Sequence, residues 1–160
     1  METTLTTFDI IGTDEAALAA LRASGADHGG NAVEPFYDGE GGWPLRCCLT
    51  DSQAGDELAI VAWSPFPWAG PYAEVGPIVI HARSCARVRS GDVPEQFLSR
   101  RQLVRPYATG RIAYDDVVIV DGDGSLPLVL EHVLSKPEIE FAHVRNVLSG
   151  CWSFTARRRP

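Results

Sequence analysis

Apolar residues recur at helical spacing in two segments of the chain. The clearer segment, between Ser125 and Pro137, predicts an amphipathic helix whose apolar positions are Leu126, Val129, Leu130, Val133 and Leu134. The other begins after Thr13, carries acidic residues in its first turn and stops at Gly25, which is a natural helix end. We therefore expect two principal helices.

Short apolar runs of strand length fill much of the remaining chain. We predict strands over 6–11, 45–50, 57–63, 78–82, 103–107, 111–120, 139–146 and 151–156, and a short helix over 93–98. The run 45–50 is expected to pair with 57–63, and 139–146 with 151–156. Strands interrupted by two helices predict an α+β fold, with a mainly antiparallel β-sheet in a single compact domain of residues 1–160.

Two segments lack a periodic pattern. Residues 25–42 are rich in glycine and predict a flexible loop, of a length that often forms a lid or a binding loop. Residues 64–77 carry four prolines and therefore cannot form a central strand. The last residues, 157–160, are expected to be a frayed tail.

Composition narrows the classes of partner. The chain has 160 residues, a net charge of −7 and a pI near 5.0, so its acidic surface argues against nucleic acid or an anionic membrane as partner. The first residues lack a basic segment and a long apolar run, so we expect no signal peptide and a cytoplasmic location. No phosphate-loop or dinucleotide fingerprint occurs, and we predict no cofactor.

Four segments carry a resemblance to a known family: PLRCCLTDSQAGDELAIVAW, PYAEVGPIVIHA, LVRPYATGRIAYDDVV and PEIEFAHVRNVLSGCWSFTARR. Together they cover residues 44–158 and resemble the bacterial family called domain of unknown function 1203. The resemblance implies a bacterial cytoplasmic domain and supplies no catalytic residues. The positions on the family pattern are Arg46, Tyr72, Arg105, Tyr107, His143, Asn146, Gly150 and Cys151.

His143 and Cys151 are the candidate catalytic residues. A nucleophilic cysteine needs an imidazole or a cation nearby, and strand parity decides whether these two side chains can meet. If Asn146 pairs with Cys151, His143 lies on the other face of the hairpin. If Asn146 pairs with Gly150, Cys151 and His143 share a face. His143 alone is also a candidate acid or base, because imidazole titrates near neutrality.

Polar and aromatic side chains predict a pocket for a small molecule. Arginine presents a fork that fits a carboxylate or a phosphate, and pockets are mostly apolar with a few polar groups. The candidate ligand-binding residues are Arg46, Tyr72, Arg105, Tyr107, Asn146, Trp63 and Trp68. The favoured function is thus a small-molecule-binding domain or a small enzyme, and whether it is an enzyme stays open.

Two alternatives remain. One is a non-enzymatic interaction module or homodimer that uses the aromatic segment as its contact surface. The other is zinc binding by Cys48, His81 and Cys85 with Cys151 or His143. On a strand, however, Cys47 and Cys48 point to opposite faces, and neither His81 nor Cys85 has a nearby ligand partner. We therefore predict no metal ligands.

Overall fold

The structure is a computed structural model that describes residues 7–85 and 92–160. It confirms the predicted α+β class, with mainly antiparallel sheets and two principal helices. The described residues fall into two units. Residues 7–11 and 92–160 form one, called the sheet unit here, and residues 12–85 form the other, called the cysteine unit.

The sheet unit is built on a six-stranded antiparallel sheet. Its strands are β1 (Phe8–Ile11), β5 (Gln102–Ala108), β6 (Arg111–Ile112), β7 (Val118–Val120), β8 (Phe141–Asn146) and β9 (Trp152–Arg158). They pair in the order β1-β9-β8-β5-β6, and β7 also pairs with β5. The helices of this unit are α2 (Glu95–Leu98) and α3 (Leu126–Leu134), with a 3-10 turn at Tyr114–Asp116.

The two faces of this sheet differ in chemistry. One face is apolar because Val104, Val144 and Phe154 lie in register across three strands. Helix α3, whose inner side chains are fully buried, contacts β1, β8 and β9, and Phe97 of α2 meets Phe154 edge to face at 5.0 Å. The opposite face carries Arg105, His143 and Thr155 in register, so these three polar side chains share one surface.

The cysteine unit combines one helix with a smaller antiparallel sheet. Its elements are α1 (Glu15–Ser24), β2 (Phe36–Tyr37), β3 (Glu57–Trp63) and β4 (Gly76–His81), and the strands pair in chain order. Asp14, not Thr13, caps α1 by accepting a hydrogen bond from the Ala17 amide. Gly25 ends the helix with a φ of 69°, as the sequence predicts.

The segment predicted as a Gly-rich loop contains β2 and is tied to β3. The carboxylate of Asp27 accepts hydrogen bonds from the amides of Ala62, Gly29 and Asn31. These bonds, the one from Ala62 above all, lower the pKa of Asp27 to about 2. The His28 ring stacks on Trp63 at 4.4 Å. The hydrogen bonds of the Asp27 carboxylate therefore fix the start of this connection against β3.

Three strand predictions need correction. Residues 45–50 are a compact turn closed by the Leu45 amide on the Thr50 carbonyl at 2.9 Å, and Leu49 adopts a φ of 59°. The run 111–120 is interrupted by the 3-10 turn and becomes β6 and β7. The first strand begins at Phe8, and Thr6 lies outside the described residues.

Candidate metal centre

Three thiols and one imidazole converge in the cysteine unit. Cys47 and Cys48 lie in the turn 45–50, His81 is the last residue of β4, and Cys85 follows four residues later. The three sulfur atoms and a ring nitrogen of His81 all lie within 4.8 Å of one another. All four cysteines of the chain are free, so these sulfurs are not held in disulfides.

The turn is brought to His81 by backbone pairing with β4. Leu45 forms a parallel bridge with Val79, and the Arg46 amide donates to the Val79 carbonyl at 2.9 Å. The Arg46 carbonyl in turn accepts a bond from the Thr13 amide at the start of α1. The next two residues, Cys47 and Cys48, therefore lie beside the end of β4, which is His81.

The His81 ring uses both of its nitrogens. Nδ1 lies 3.8 Å from Sγ of Cys47 and 4.0 Å from Sγ of Cys48. Nε2 lies 3.3 Å from Oδ2 of Asp56. A carboxylate on the far nitrogen orients an imidazole and favours the tautomer whose near nitrogen is free to ligate. The ring is thus positioned to present Nδ1 to the thiols.

Further donors surround the sulfurs. The backbone amide of His81 donates to Sγ of Cys47 at 3.4 Å, and Oγ1 of Thr50 lies 3.0 Å from Sγ of Cys48. Arg22 donates from Nη2 to the His81 carbonyl at 2.8 Å, which places a guanidinium at the edge of the cluster. An N–H or O–H donor next to a sulfur favours the thiolate form of that sulfur.

The thiols of Cys47 and Cys48 differ in pKa, and the two shifts have opposite directions. Hydrogen bonds from Cys47 and Cys85 lower the pKa of the Cys48 thiol. Hydrogen bonding to Cys48 and to Cys85, together with burial, raises the pKa of the Cys47 thiol. Cys48 is therefore the thiol of this pair that loses its proton more readily. Such a site attracts a cation that can replace the protons.

This cluster corrects the sequence analysis on two points. The statement that Cys47 and Cys48 point to opposite sides is wrong, because the residues form a turn. The statement that His81 and Cys85 lack a nearby partner is wrong for the same reason. Three residues of the zinc alternative, Cys48, His81 and Cys85, do meet. The fourth member of the cluster is Cys47, and Cys151 and His143 lie outside it. The close spacing of His81 and Cys85 was the sequence signal for this site. The predicted strand over 45–50 hid it, because a strand would point Cys47 and Cys48 to opposite faces.

The sheet unit holds a separate polar group. Arg105 pairs with His143 across β5 and β8, and Tyr107 pairs with Phe141. The His143 ring is fully buried and lies 4.9 Å from the Tyr107 ring. Sequence reasoning missed Arg145, a buried residue whose Nη2 lies 3.4 Å from Nδ1 of His143. Its spacing of two residues from His143 on a predicted strand was the available signal.

The last hairpin does not bring Cys151 to His143. The Asn146 amide donates to the Cys151 carbonyl at 2.9 Å, and Arg145 pairs with Trp152. This is the first of the two registers considered, and it leaves Cys151 on the face away from His143. The Asn146 side chain accepts bonds from the amides of Leu148 and Ser149, so it closes the turn.

The other predicted ligand-binding residues belong to the cysteine unit. Arg46 is buried, and Trp63 is buried under its stack with His28. The half-buried Trp68 packs against Phe66 at 5.3 Å, and Tyr72 is half-buried. Their roles in ligand binding, and that of the aromatic segment as an interaction surface, stay predictions.

Fold and site together define the class: an α+β protein whose cysteine unit gathers three cysteines and a histidine into one cluster. The chain belongs to the family described as protein of unknown function DUF1203, which it matches over residues 42–158. The resemblance stated from the sequence is therefore confirmed. Searches of curated proteins and of solved structures each returned no significant match. No helix in the described part of the chain has the length and apolar character to cross a membrane.

Proposed function

We propose that this protein binds a zinc ion through Cys47, Cys48, His81 and Cys85. The observation that carries the proposal is the convergence of four ligand atoms within 4.8 Å. Thiolate and imidazole are the ligands that structural zinc sites use, in four-coordinate tetrahedral arrangements that include three cysteines with one histidine. The ligand number and types in this cluster match that requirement.

The spacing of the ligand atoms supports a tetrahedral site. With zinc–sulfur bonds of about 2.3 Å and zinc–nitrogen bonds of about 2.0–2.1 Å, a tetrahedron has sulfur–nitrogen edges of about 3.6 Å. The distances from His81 Nδ1 to the sulfurs of Cys47 and Cys48 are 3.8 Å and 4.0 Å. Small rotations of the side chains therefore suffice to close the site around an ion.

The surroundings complete the electrostatics of a bound ion. Three thiolates (−3) with Zn²⁺ (+2) leave one net negative charge. The guanidinium of Arg22, which donates to the His81 carbonyl at 2.8 Å, supplies a matching positive charge. Asp56 orients His81 from the opposite nitrogen. Four protein ligands fill the coordination sphere, so the proposed ion is structural: it fastens the turn 45–50 to the end of β4.

Elemental analysis of the purified protein and of metal-free protein refilled with Zn²⁺ tests the proposal. We expect one zinc per chain in the wild type and loss of tight binding in His81→Ala and Cys48→Ser. Cys151→Ser and His132→Ala are matched controls, because Cys151 lies outside the cluster and His132 is exposed on α3. Refilling with Co²⁺ should give sulfur-to-metal charge-transfer absorption. Wild-type protein that takes up no metal would refute the proposal.

A second candidate function is the binding of a small anion on the polar face of the sheet unit. It is supported by Arg105, His143 and Arg145, which share that face, because arginine and imidazole suit carboxylates and phosphates. Thermal-shift titrations with inorganic phosphate and with acetate test it. Stabilisation that disappears in Arg105→Gln supports the idea, whereas equal or absent stabilisation contradicts it.

A further inference from the structure

The zinc ligands differ in their access to solvent. Cys47 and Cys48 are 4% and 6% exposed. Cys85, the last ligand along the chain, is only half-buried. Cys85 is therefore the most solvent-accessible cysteine residue of the cluster. The sulfurs of two further cysteines lie within 4.8 Å of it, so a sulfenic acid formed on Cys85 has a second cysteine close enough to condense with it.

We infer that the cluster is a peroxide-sensitive switch in which oxidation joins Cys85 to Cys47 or Cys48 and releases the zinc. This inference rests on the proposed zinc binding and adds a means of regulating it. The reactant is hydrogen peroxide. Structural zinc sites need all of their thiolates, so removal of two ligands by one disulfide abolishes the site.

The two steps balance without another reactant. The Cys85 thiolate attacks one oxygen of hydrogen peroxide, the O–O bond breaks, and a sulfenic acid and hydroxide form. A second thiolate then attacks the Cys85 sulfur, the S–O bond breaks and a second hydroxide leaves. Two sulfurs are each oxidised by one electron and the peroxide is reduced by two. The ion departs with only one cysteine and His81 left to hold it.

The chain geometry restricts which disulfide forms. Cys47 and Cys48 are adjacent, and a bond between neighbouring residues closes a small, strained ring far from ordinary disulfide geometry. A disulfide from Cys85 to either residue closes no such small ring, because Cys85 is distant from both in the sequence. Its sulfur lies within 4.8 Å of the sulfurs of both Cys47 and Cys48. We therefore expect every disulfide formed in the cluster to contain Cys85.

The test adds hydrogen peroxide to zinc-loaded protein in the presence of a chromophoric zinc chelator. We expect stoichiometric zinc release, a mass loss of two hydrogen atoms, and a peptide that links Cys85 to Cys47 or Cys48. Dithiothreitol should then restore zinc binding. Cys151→Ser should respond as the wild type does, because that residue takes no part.

The possible failures are distinguishable. If zinc-loaded protein keeps its zinc after peroxide, or releases it with oxidation at Cys151 alone, the switch is wrong while the zinc site stands. If zinc leaves but the disulfide joins Cys47 to Cys48, the assigned role of Cys85 is wrong. If the protein takes up no zinc before peroxide is added, both the proposed function and the switch are wrong.

Discussion

Nε2 of His81 lies 3.3 Å from Oδ2 of Asp56, while Nδ1 of the same ring faces the thiols of Cys47 and Cys48. The Asp56 carboxylate therefore contacts the ring nitrogen that faces away from the thiols, and it is not one of the proposed metal ligands. Partners in that position orient a metal-binding histidine and raise its basicity. The relationship makes Asp56 a positioning residue whose contribution can be measured separately from that of the ligands.

Asp56→Asn should weaken zinc binding by about 10–100-fold, the usual effect of losing such a partner. The Asn side chain keeps the size of Asp and an oxygen for the Gln53 amide, which Asp56 also binds. The expected loss thus reflects the missing negative charge. Competition with a chromophoric chelator measures the affinity. Asp51→Asn is the matched control in the same connection, and equal affinities for the two variants would contradict the role of Asp56.

Asp27 should make stability depend on pH in the acid range. Its pKa is about 2 in the folded protein, against an ordinary value of 3.8, since amide hydrogen bonds, chiefly from Ala62, favour the charged form. A lowered pKa stabilises the fold above the unfolded value and loses this effect as pH falls through the folded value. The window is therefore about pH 4 to 2.

Asp27→Asn tests this by urea denaturation at several pH values. The wild type should exceed the variant in free energy of unfolding above pH 4, and the difference should shrink as the pH falls toward 2. Glu34→Gln, an exposed residue near the same connection, should show no such trend. A difference between wild type and Asp27→Asn that does not change with pH would contradict the assignment.

The apolar face of the sheet unit should dominate the stability of that unit. Leu130 of α3 is fully buried, so Leu130→Ala should lower the free energy of unfolding by about 2–5 kcal/mol. Leu128 on the same helix is 70% exposed, and Leu128→Ala should change stability by about 0.5 kcal/mol or less. Denaturation monitored by circular dichroism compares them, and similar losses would argue against the described packing of α3.

Two glycines before α3 allow the cost of a positive φ to be measured apart from the cost of steric crowding. Gly122 and Gly124 both have positive φ, at 77° and 84°. A Cβ on Gly122 would lie 2.6 Å from the Ser99 carbonyl oxygen, whereas a Cβ on Gly124 would meet nothing within 4 Å. Gly124→Ala should cost about 1–2 kcal/mol for conformation alone. Gly122→Ala should cost at least about 1 kcal/mol more, and equal melting temperatures would refute this.

The elements of this protein are largely readable from local pattern. The spacing of apolar residues predicts α3, and Gly25 predicts the end of α1, because helix amphipathicity and left-handed glycine are local properties. The hairpin of β8 and β9 follows from two apolar runs around a short turn. The family resemblance over the C-terminal three quarters of the chain is likewise a property of the sequence.

The candidate site was predictable only in part. The sequence by itself determined that thiols and imidazole are present and that His81 and Cys85 are four residues apart in the chain. It did not determine that residues 45–50 form a turn, since LRCCLT has the composition of a buried strand. Only the tertiary pairing of Leu45 and Arg46 with Val79 places Cys47 and Cys48 beside His81. Ligands from distant segments meet through backbone hydrogen bonds between those segments, and such long-range contacts leave no trace in local periodicity.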